Sequence, residues 1–555
     1  MGAGRTCRSC LCLPVRPNRL RLRGSGKTII THKKKSDEPT FPVRLKNVES
    51  ETPAGHDGAG NFTWNVAEII ELQARRHPAA PALILRDRVA SYREMVVAVH
   101  ALARALQDGG VRVGETIGVS MMQTPLHLLT LLAISRIGAV SIPLHAVLPP
   151  ERRRLAAQRF GVTVIVAGRA EMRLDGIRFI LLGDVDLAAP VQPIPASNSQ
   201  PNDPFRIVLS SGTSGDPKGM LYTHGYMMDR IAKTNYDCTA QSRILPMDLN
   251  FPIGFLFAMG MLVAGGAVVL SLSNAAADLA YMVRSHAVTH WLLSPSKAES
   301  LAPLLVDQDI HFPTVVHLRV VGATPSKRLV DTLFAKFSPN VFVPYGSTEI
   351  GAVSIATPDI LKRAPESAGR IASWITAEVV DENDLPCPAG QVGRLRLKAP
   401  AMIDGYYLDP ARTAEHFRDG WYYPRDLARI DAEGLLTIEG REDDVFNING
   451  RKIYFRDIEK VLQSHPAVHE AAVFRTTVEG TETIAAAFIP ARPIATTEVA
   501  AWAAQQLGPL CPSRLHAVEE FPRNTMGKVL REEIDSQVAS LLKAAGNPAP
   551  SPPAG

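Results

Sequence analysis

A chain of 555 residues has room for more than one hydrophobic core and is too long for one small domain. With 46% hydrophobic and 21% charged residues, it is not a chain that stays disordered along most of its length. The net charge of +5 is unevenly placed: residues 1–46 hold 12 Lys/Arg against 2 Asp/Glu, so the remainder carries −5 and gives no general basis for nucleic-acid binding.

Residues 1–60 lack apolar periodicity and read as a disordered basic extension. The stretch is also Arg-rich and acid-poor like an organellar presequence, although Pro14 and Pro17 would interrupt an amphipathic helix. Met1–Thr6 fits the loose myristoylation pattern. Gly24–Thr28 looks like the end of a P-loop, but Arg21 stands where its first glycine belongs. Three of the 6 cysteines (Cys7, Cys10, Cys12) crowd this extension. Cys238, Cys387 and Cys511 are too sparse for a disulfide framework, which points to a reducing compartment, the cytoplasm.

Folded structure is expected from about Trp64. Asn65 and Glu68 form a capping-box pattern ahead of a helix that ends near Pro78. Strands at 82–85, 116–120 and 139–143 alternate with helices at 92–108 and 125–137, and the pattern recurs at 162–167, 179–182, 291–293, 315–321 and 341–343. Such alternation predicts βαβ units and a largely parallel sheet covered by helices. The uncharged run Phe251–Leu272 is long enough to span a bilayer, but Pro252, Gly254, Gly260, Gly265 and Gly266 favour a buried helix, a turn and a strand at 267–270 instead. After Gly369 shorter strands, at 377–380 and 393–398, predict a small β-rich subdomain. The fold class is therefore α/β: a large domain over 61–442, then a small α+β domain over 443–538, with a disordered tail at 539–555.

The most informative segment is Ile207–Gly219, where an apolar strand runs into Ser210, Ser211, Gly212, Thr213, Ser214, Gly215, Asp216, Pro217 and Lys218. Glycines let backbone N–H groups approach phosphate oxygens, hydroxyls donate further hydrogen bonds, and the lysine supplies charge. No Gly-Lys-Ser/Thr closes the loop onto a helix, so it is not a Walker loop.

Here the sequence resembles the AMP-forming adenylating enzymes (acyl-CoA and aryl-CoA synthetases, stand-alone adenylation domains, firefly-type luciferases), over roughly residues 64–535. The loop is similar to the family's phosphate loop. Gly322, Ala323 and Thr324 resemble the segment lining the adenine and the acyl pocket. Tyr345-Gly346-Ser347-Thr348-Glu349 resembles the next motif, which implies that Tyr345 stacks on adenine, Thr348 touches the α-phosphate and Glu349 holds Mg²⁺. Asp426 and Arg441 match the ribose-binding positions, and Asp443 the hinge of a mobile C-terminal domain. Lys528, in Pro522–Lys528, matches the lysine that drives adenylation. The resemblance implies ATP, Mg²⁺ and CoA, or a carrier-protein phosphopantetheine, with a small carboxylic acid as substrate. The chemistry has a physical reason: a carboxylate attacking ATP brings two anions together, and cations must offset their repulsion.

The family usually places a hydroxyl residue and glycine before the ribose aspartate, where this chain has Pro424 and Arg425. Arg425 is thus expected to crowd the nucleotide or to contact a phosphate. Asn250 and Phe251 resemble the pair that meets the ring in aryl-acid enzymes, and the Phe-His of many acyl-CoA synthetases is missing; alternatively, Asn250 caps a helix beginning at Pro252. The expected function is an acid–thiol ligase with an aromatic acid favoured. The alternatives are an enzyme loading a carrier protein, a fatty acyl-CoA synthetase, and a non-catalytic acyl-nucleotide sensor or scaffold.

Overall fold

The apolar runs and amphipathic helices assemble in the computed structural model, which describes residues 63–210, 218–235, 237–305, 310–448, 451–478, 481–523 and 529–544. The expectations for the N-terminal extension, most of the C-terminal tail, the loop residues Ser211–Pro217 and Lys528 fall outside the described residues.

The first helix, Val66–Arg76, is capped by Asn65, whose side chain accepts from the Ala67 amide at 3.0 Å. Glu68 does not close the expected capping box. Its carboxylate accepts instead from the Thr63 hydroxyl (2.6 Å) and the Ser197 amide (2.7 Å) and faces Arg136. These tertiary partners outcompete the local one. A full capping box does form at Ser91 and Glu94, at the start of the helix Tyr92–Asp108.

One sheet has six strands, in the order Arg178–Leu181, Val164–Ala167, Thr116–Ser120, Val140–Pro143, Pro204–Ser210, Lys218–Thr223. All neighbours are parallel except the last pair, which flanks the phosphate-loop segment. The other sheet is larger. Its parallel half runs Pro81–Leu85, Ala267–Val269, Arg243–Leu245, His290–Leu293, His317–Val320, Val341–Ser347. At Val341–Ser347 the ladder turns antiparallel and continues through Gly351–Ala356, Gly369–Ile371, Leu435–Arg441, Asp426–Ile430 and Gly393–Lys398. The β-rich part after Gly369 is thus hydrogen-bonded into the same 15-stranded sheet, although it has its own apolar core around Val353, Leu395 and Leu397.

Phe251–Leu272 folds as expected into the buried helix Pro252–Val263 and the strand Ala267–Val269. No helix among the described residues is long and apolar enough to cross a membrane.

The C-terminal unit pairs Val468–Val478 with Thr481–Pro490 and adds Leu515–Ala517. Successive side chains of a strand point to opposite faces. Accordingly Ala471, Val473 and Ala486 pack with the helices Phe455–Gln463 and Thr496–Leu507, while Ala472, Phe474 and Ala487 pack with the helix Arg531–Ala544.

Three buried histidines should make this fold acid-sensitive. Burial, aided by neighbouring cations, drives His127 down to about 3, and burial drives His100 and His224 down to about 4. The unfolded chain therefore takes up protons first. Stability is whole above about pH 6.5 and is lost as pH falls toward the folded values, by about 2 kcal/mol per ring at pH 5. Thermal midpoints measured from about pH 8 to pH 5 should fall, and His127→Leu should flatten that dependence.

Candidate active site

In the parallel half of an open sheet, the loops at the carboxyl ends of the strands gather on one edge. Gly322 follows His317–Val320 there and Tyr345–Ser347 ends Val341–Ser347, while the phosphate-loop segment leaves Pro204–Ser210 of the six-stranded sheet. Gly322 has φ +98°, open to glycine at no steric cost. At Gly346 a Cβ would lie 2.0 Å from the Gly351 carbonyl oxygen, so no other residue fits that crossing of strands.

Asp426 and Arg441 are register partners on adjacent antiparallel strands. Arg441 donates to Asp426 Oδ1 at 2.7 Å and to the Pro424 carbonyl at 2.9 Å, while the Tyr345 hydroxyl donates to Asp426 Oδ2. Burial raises the Tyr345 pKa, and the Asp426 charge raises it further. Burial works against the Arg441 charge, but Asp426 outweighs it and holds the guanidinium above its ordinary range. Three of the expected site residues thus form one cluster.

Glu349 is buried, and its Oε1 accepts from the Tyr406 hydroxyl at 2.8 Å. Lys218 lies 5.0 Å from the Tyr406 ring centre and donates to His416 Nε2 at 3.3 Å. His416 Nδ1 faces the Tyr423 carbonyl at 2.9 Å; a carbonyl only accepts, so the ring proton sits on Nδ1 and Nε2 is free to accept. Burial pushes the Lys218 pKa down, opposed by Glu349.

The backbone carrying Thr348 and Glu349 is gripped from the helix His224–Thr234 and the strand before it. Tyr222 and Arg230 donate to the Thr348 carbonyl at 2.7 and 2.8 Å, and Tyr226 donates to the Glu349 carbonyl at 3.0 Å. Tyr222, Tyr226, Arg230, Tyr406 and His416 were not flagged from the sequence. None lies in a periodic or Gly-rich pattern, and only the aromatic pair Tyr406-Tyr407 after Gly405 offered a local signal.

One expectation is corrected. Asn250 does not cap the helix Pro252–Val263, whose N-cap is Phe251. The Asn250 amide instead donates to Asp248 Oδ1 (2.9 Å) and weakly to the Met121 carbonyl (3.4 Å), and its buried Oδ1 has no partner among the described residues. Phe251 lies 5.7 Å from the His145 ring. Arg425, expected to crowd the nucleotide or to contact a phosphate, pairs with two acidic residues that follow Arg441. Its Nη2 donates to Asp443 Oδ1 at 2.7 Å, and its Nε is 3.7 Å from Glu442. With φ +64° it stands in the left-handed region, which costs a non-glycine residue roughly 1–2 kcal/mol. The glycine usual at this place would meet that backbone without strain.

An open α/β sheet with buried cations and a shielded carboxylate at its strand ends has the character of a nucleotide-binding enzyme. The chain belongs to the AMP-binding enzyme family, the AMP-forming adenylating ligases: the family match covers residues 70–407, and the match to the AMP-binding enzyme C-terminal domain covers 457–528. It is similar to phosphinothricin tripeptide synthetase PhsC of Streptomyces viridochromogenes, 29% identical over 512 residues (87% of this chain), and spans only 46% of that protein. It is similar to indoleacetate–CoA ligase of Aromatoleum aromaticum, 27% identical over 504 residues that cover 85% of this chain and 98% of the relative. Its fold is that of the ATP-bound MatB structure from Rhodopseudomonas palustris, with a TM-score of 0.78 at 21% identity, covering 86% and 100% of the two chains.

Gly346→Ala should force strand against strand and lower the unfolding free energy by about 1–3 kcal/mol. The urea midpoint reads this directly, and an unchanged midpoint would show that the crossing is looser than its geometry.

Proposed function

We propose that this chain activates a small carboxylic acid with ATP and passes the acyl group to a thiol. The observation that carries the reading is the strand-end cluster in which Tyr345, Asp426 and Arg441 meet, with Lys218 and Glu349 nearby. The acid's carboxylate oxygen forms a bond to the α-phosphorus, and the bond to pyrophosphate breaks, leaving an acyl-adenylate. The thiol then forms the thioester and AMP leaves.

In this reading Asp426 accepts the ribose hydroxyls, Arg441 orients the nucleoside, and Tyr345 offers its ring face to adenine. Ser210–Gly215 and Lys218 cradle the phosphates, Ser347 and Thr348 contribute hydroxyls, and Lys528 neutralises the charge that develops at phosphorus. Gly322, Ala323 and Thr324 border the base and the acyl group. The buried carboxylate of Glu349, steadied by Tyr406, is the oxygen ligand that a hard cation takes, so it fits Mg²⁺. That ion would offset phosphate charge when bound.

Asn250 and Phe251 would face the acid. A buried amide oxygen without a partner among the described residues, next to an aromatic ring, supports a planar acid bearing a polar substituent. The likeness to an indoleacetate–CoA ligase favours CoA as acceptor, and the likeness to a peptide synthetase keeps a carrier-bound phosphopantetheine as the second reading. The unpaired Cys238, Cys387 and Cys511 support a reducing, cytoplasmic setting. The domain division proposed is 61–442 and 443–538, with Asp443 as the pivot.

Pyrophosphate release should be faster with benzoate-like acids than with decanoate-like chains; the reverse order would end the aromatic reading and leave the ligase. Lys528→Ala should slow adenylate formation by roughly two to three orders of magnitude and spare thioester formation from a pre-made acyl-adenylate. Equal slowing of both steps would contradict the role given to that lysine.

A further inference from the structure

The strand Leu435–Arg441 belongs to the large sheet, and the single turn Glu442–Asp444 leads from it into the hairpin Val445–Ile448 and Arg451–Tyr454. The two aspartates of this turn are held from opposite sides. Arg531, on the C-terminal helix, lies 3.5 Å from Asp444, and Arg475 donates to the Val445 carbonyl at 2.6 Å. Asp443 is instead bound by Arg425 of the large unit at 2.7 Å, and the Glu442 amide donates to the Arg425 carbonyl at 2.9 Å. Asp443 is also reached from the other side, Arg475 donating weakly to its carbonyl at 3.5 Å, so the boundary between the two units runs through Asp443 itself.

Arg425 reaches this boundary from a left-handed backbone that suits glycine alone without strain. Strain kept where a smaller residue would relieve it is grounds for a functional reading. In the orientation seen, His469, Glu470 and Arg523 of the C-terminal unit act on the carboxyl of Glu299, in the helix Pro295–Leu301 that follows the strand His290–Leu293. In this orientation the strand of Glu470 and the described residue Arg523 face the large unit. A rotation about Asp443 that presents another face has to break the Arg425 pair.

We propose that the orientation seen serves adenylation and that Arg425 is a positioning residue: by latching Asp443 it holds that orientation, and its release sets the balance between the two half-reactions. The inference rests on the two-step ligase reading given above. The pair is partly exposed, with side chains 40% and 62% accessible, so it acts as a light catch and not a lock.

The test separates the half-reactions in Arg425→Gly, Asp443→Asn, the double variant and Arg425→Lys. Arg425→Gly should slow pyrophosphate release and speed transfer from a pre-made acyl-adenylate, moving their ratio by roughly two- to fivefold, the weight of an exposed ion pair. Its thermal midpoint should not fall, because glycine suits the backbone. Asp443→Asn should match it, the double variant should add nothing, and Arg425→Lys should restore most of the ratio. Raising salt from about 0.05 to 0.5 M should move the wild-type ratio toward that of Arg425→Gly and leave the variant still. An unmoved ratio, or additive effects in the double variant, overturns the proposal. Hydrogen exchange across residues 441–446 reads the latch without any substrate: it should be roughly two- to fivefold faster in Arg425→Gly, and unchanged protection also overturns it. Faster exchange in a protein that releases pyrophosphate with no acid would support the latch and reject only the ligase reading.

Discussion

The Asp426 carboxylate joins parts of the chain that the sheet alone would leave separate. It takes one hydrogen bond from Arg441 on the neighbouring strand and another from Tyr345, which ends the last parallel strand. A buried carboxylate without such partners would cost several kcal/mol, so its charge is sustained by the same groups it positions. Because Tyr345 ends the parallel half and Asp426 lies in the antiparallel half, this one carboxylate ties the two halves together across the strands between them.

The other polar groups of the site follow a similar arrangement. Glu349 is steadied by Tyr406 through its side chain and by Tyr226 through its carbonyl, while Tyr222 and Arg230 hold the carbonyl of Thr348 just before it. The helix that begins after the phosphate-loop hairpin therefore also fixes the loop of the neighbouring motif. The segments carrying Tyr222 and Thr348, 126 residues apart, are held in a common frame.

Much of the fold was legible because its signals are local. The helices Tyr92–Asp108 and Pro125–Ile137 and the strand Thr116–Ser120 stand where periodicity and caps put them. What local signals could not carry was pairing. Nothing in 369–441 tells that its strands continue the large sheet, since that depends on Gly351–Ala356 folding back on Val341–Ser347. Glu68 shows the same limit, for its spacing promised a cap that Ser197 and Arg136 took over. In the site, motif residues such as Tyr345, Asp426 and Arg441 were named because the family pattern marks them. Tyr406, His416 and Arg230 were not, because they act through partners more than a hundred residues away or through one buried contact that leaves no pattern in sequence.

The strand Pro81–Leu85 carries a consequence for synthesis. Its hairpin partner Arg88–Ser91 is available at once, but its other neighbour is Ala267–Val269, with Leu83 opposite Val268. Pairing so remote in sequence is slow and leaves strand edges exposed in the meantime. A ribosome must therefore deliver about two hundred further residues before that edge is covered, while the six-stranded sheet, all of whose strands lie between Thr116 and Thr223, closes during the wait. The nascent chain thus carries one finished sheet and one open edge, and that edge is where a ribosome-associated chaperone would be needed most.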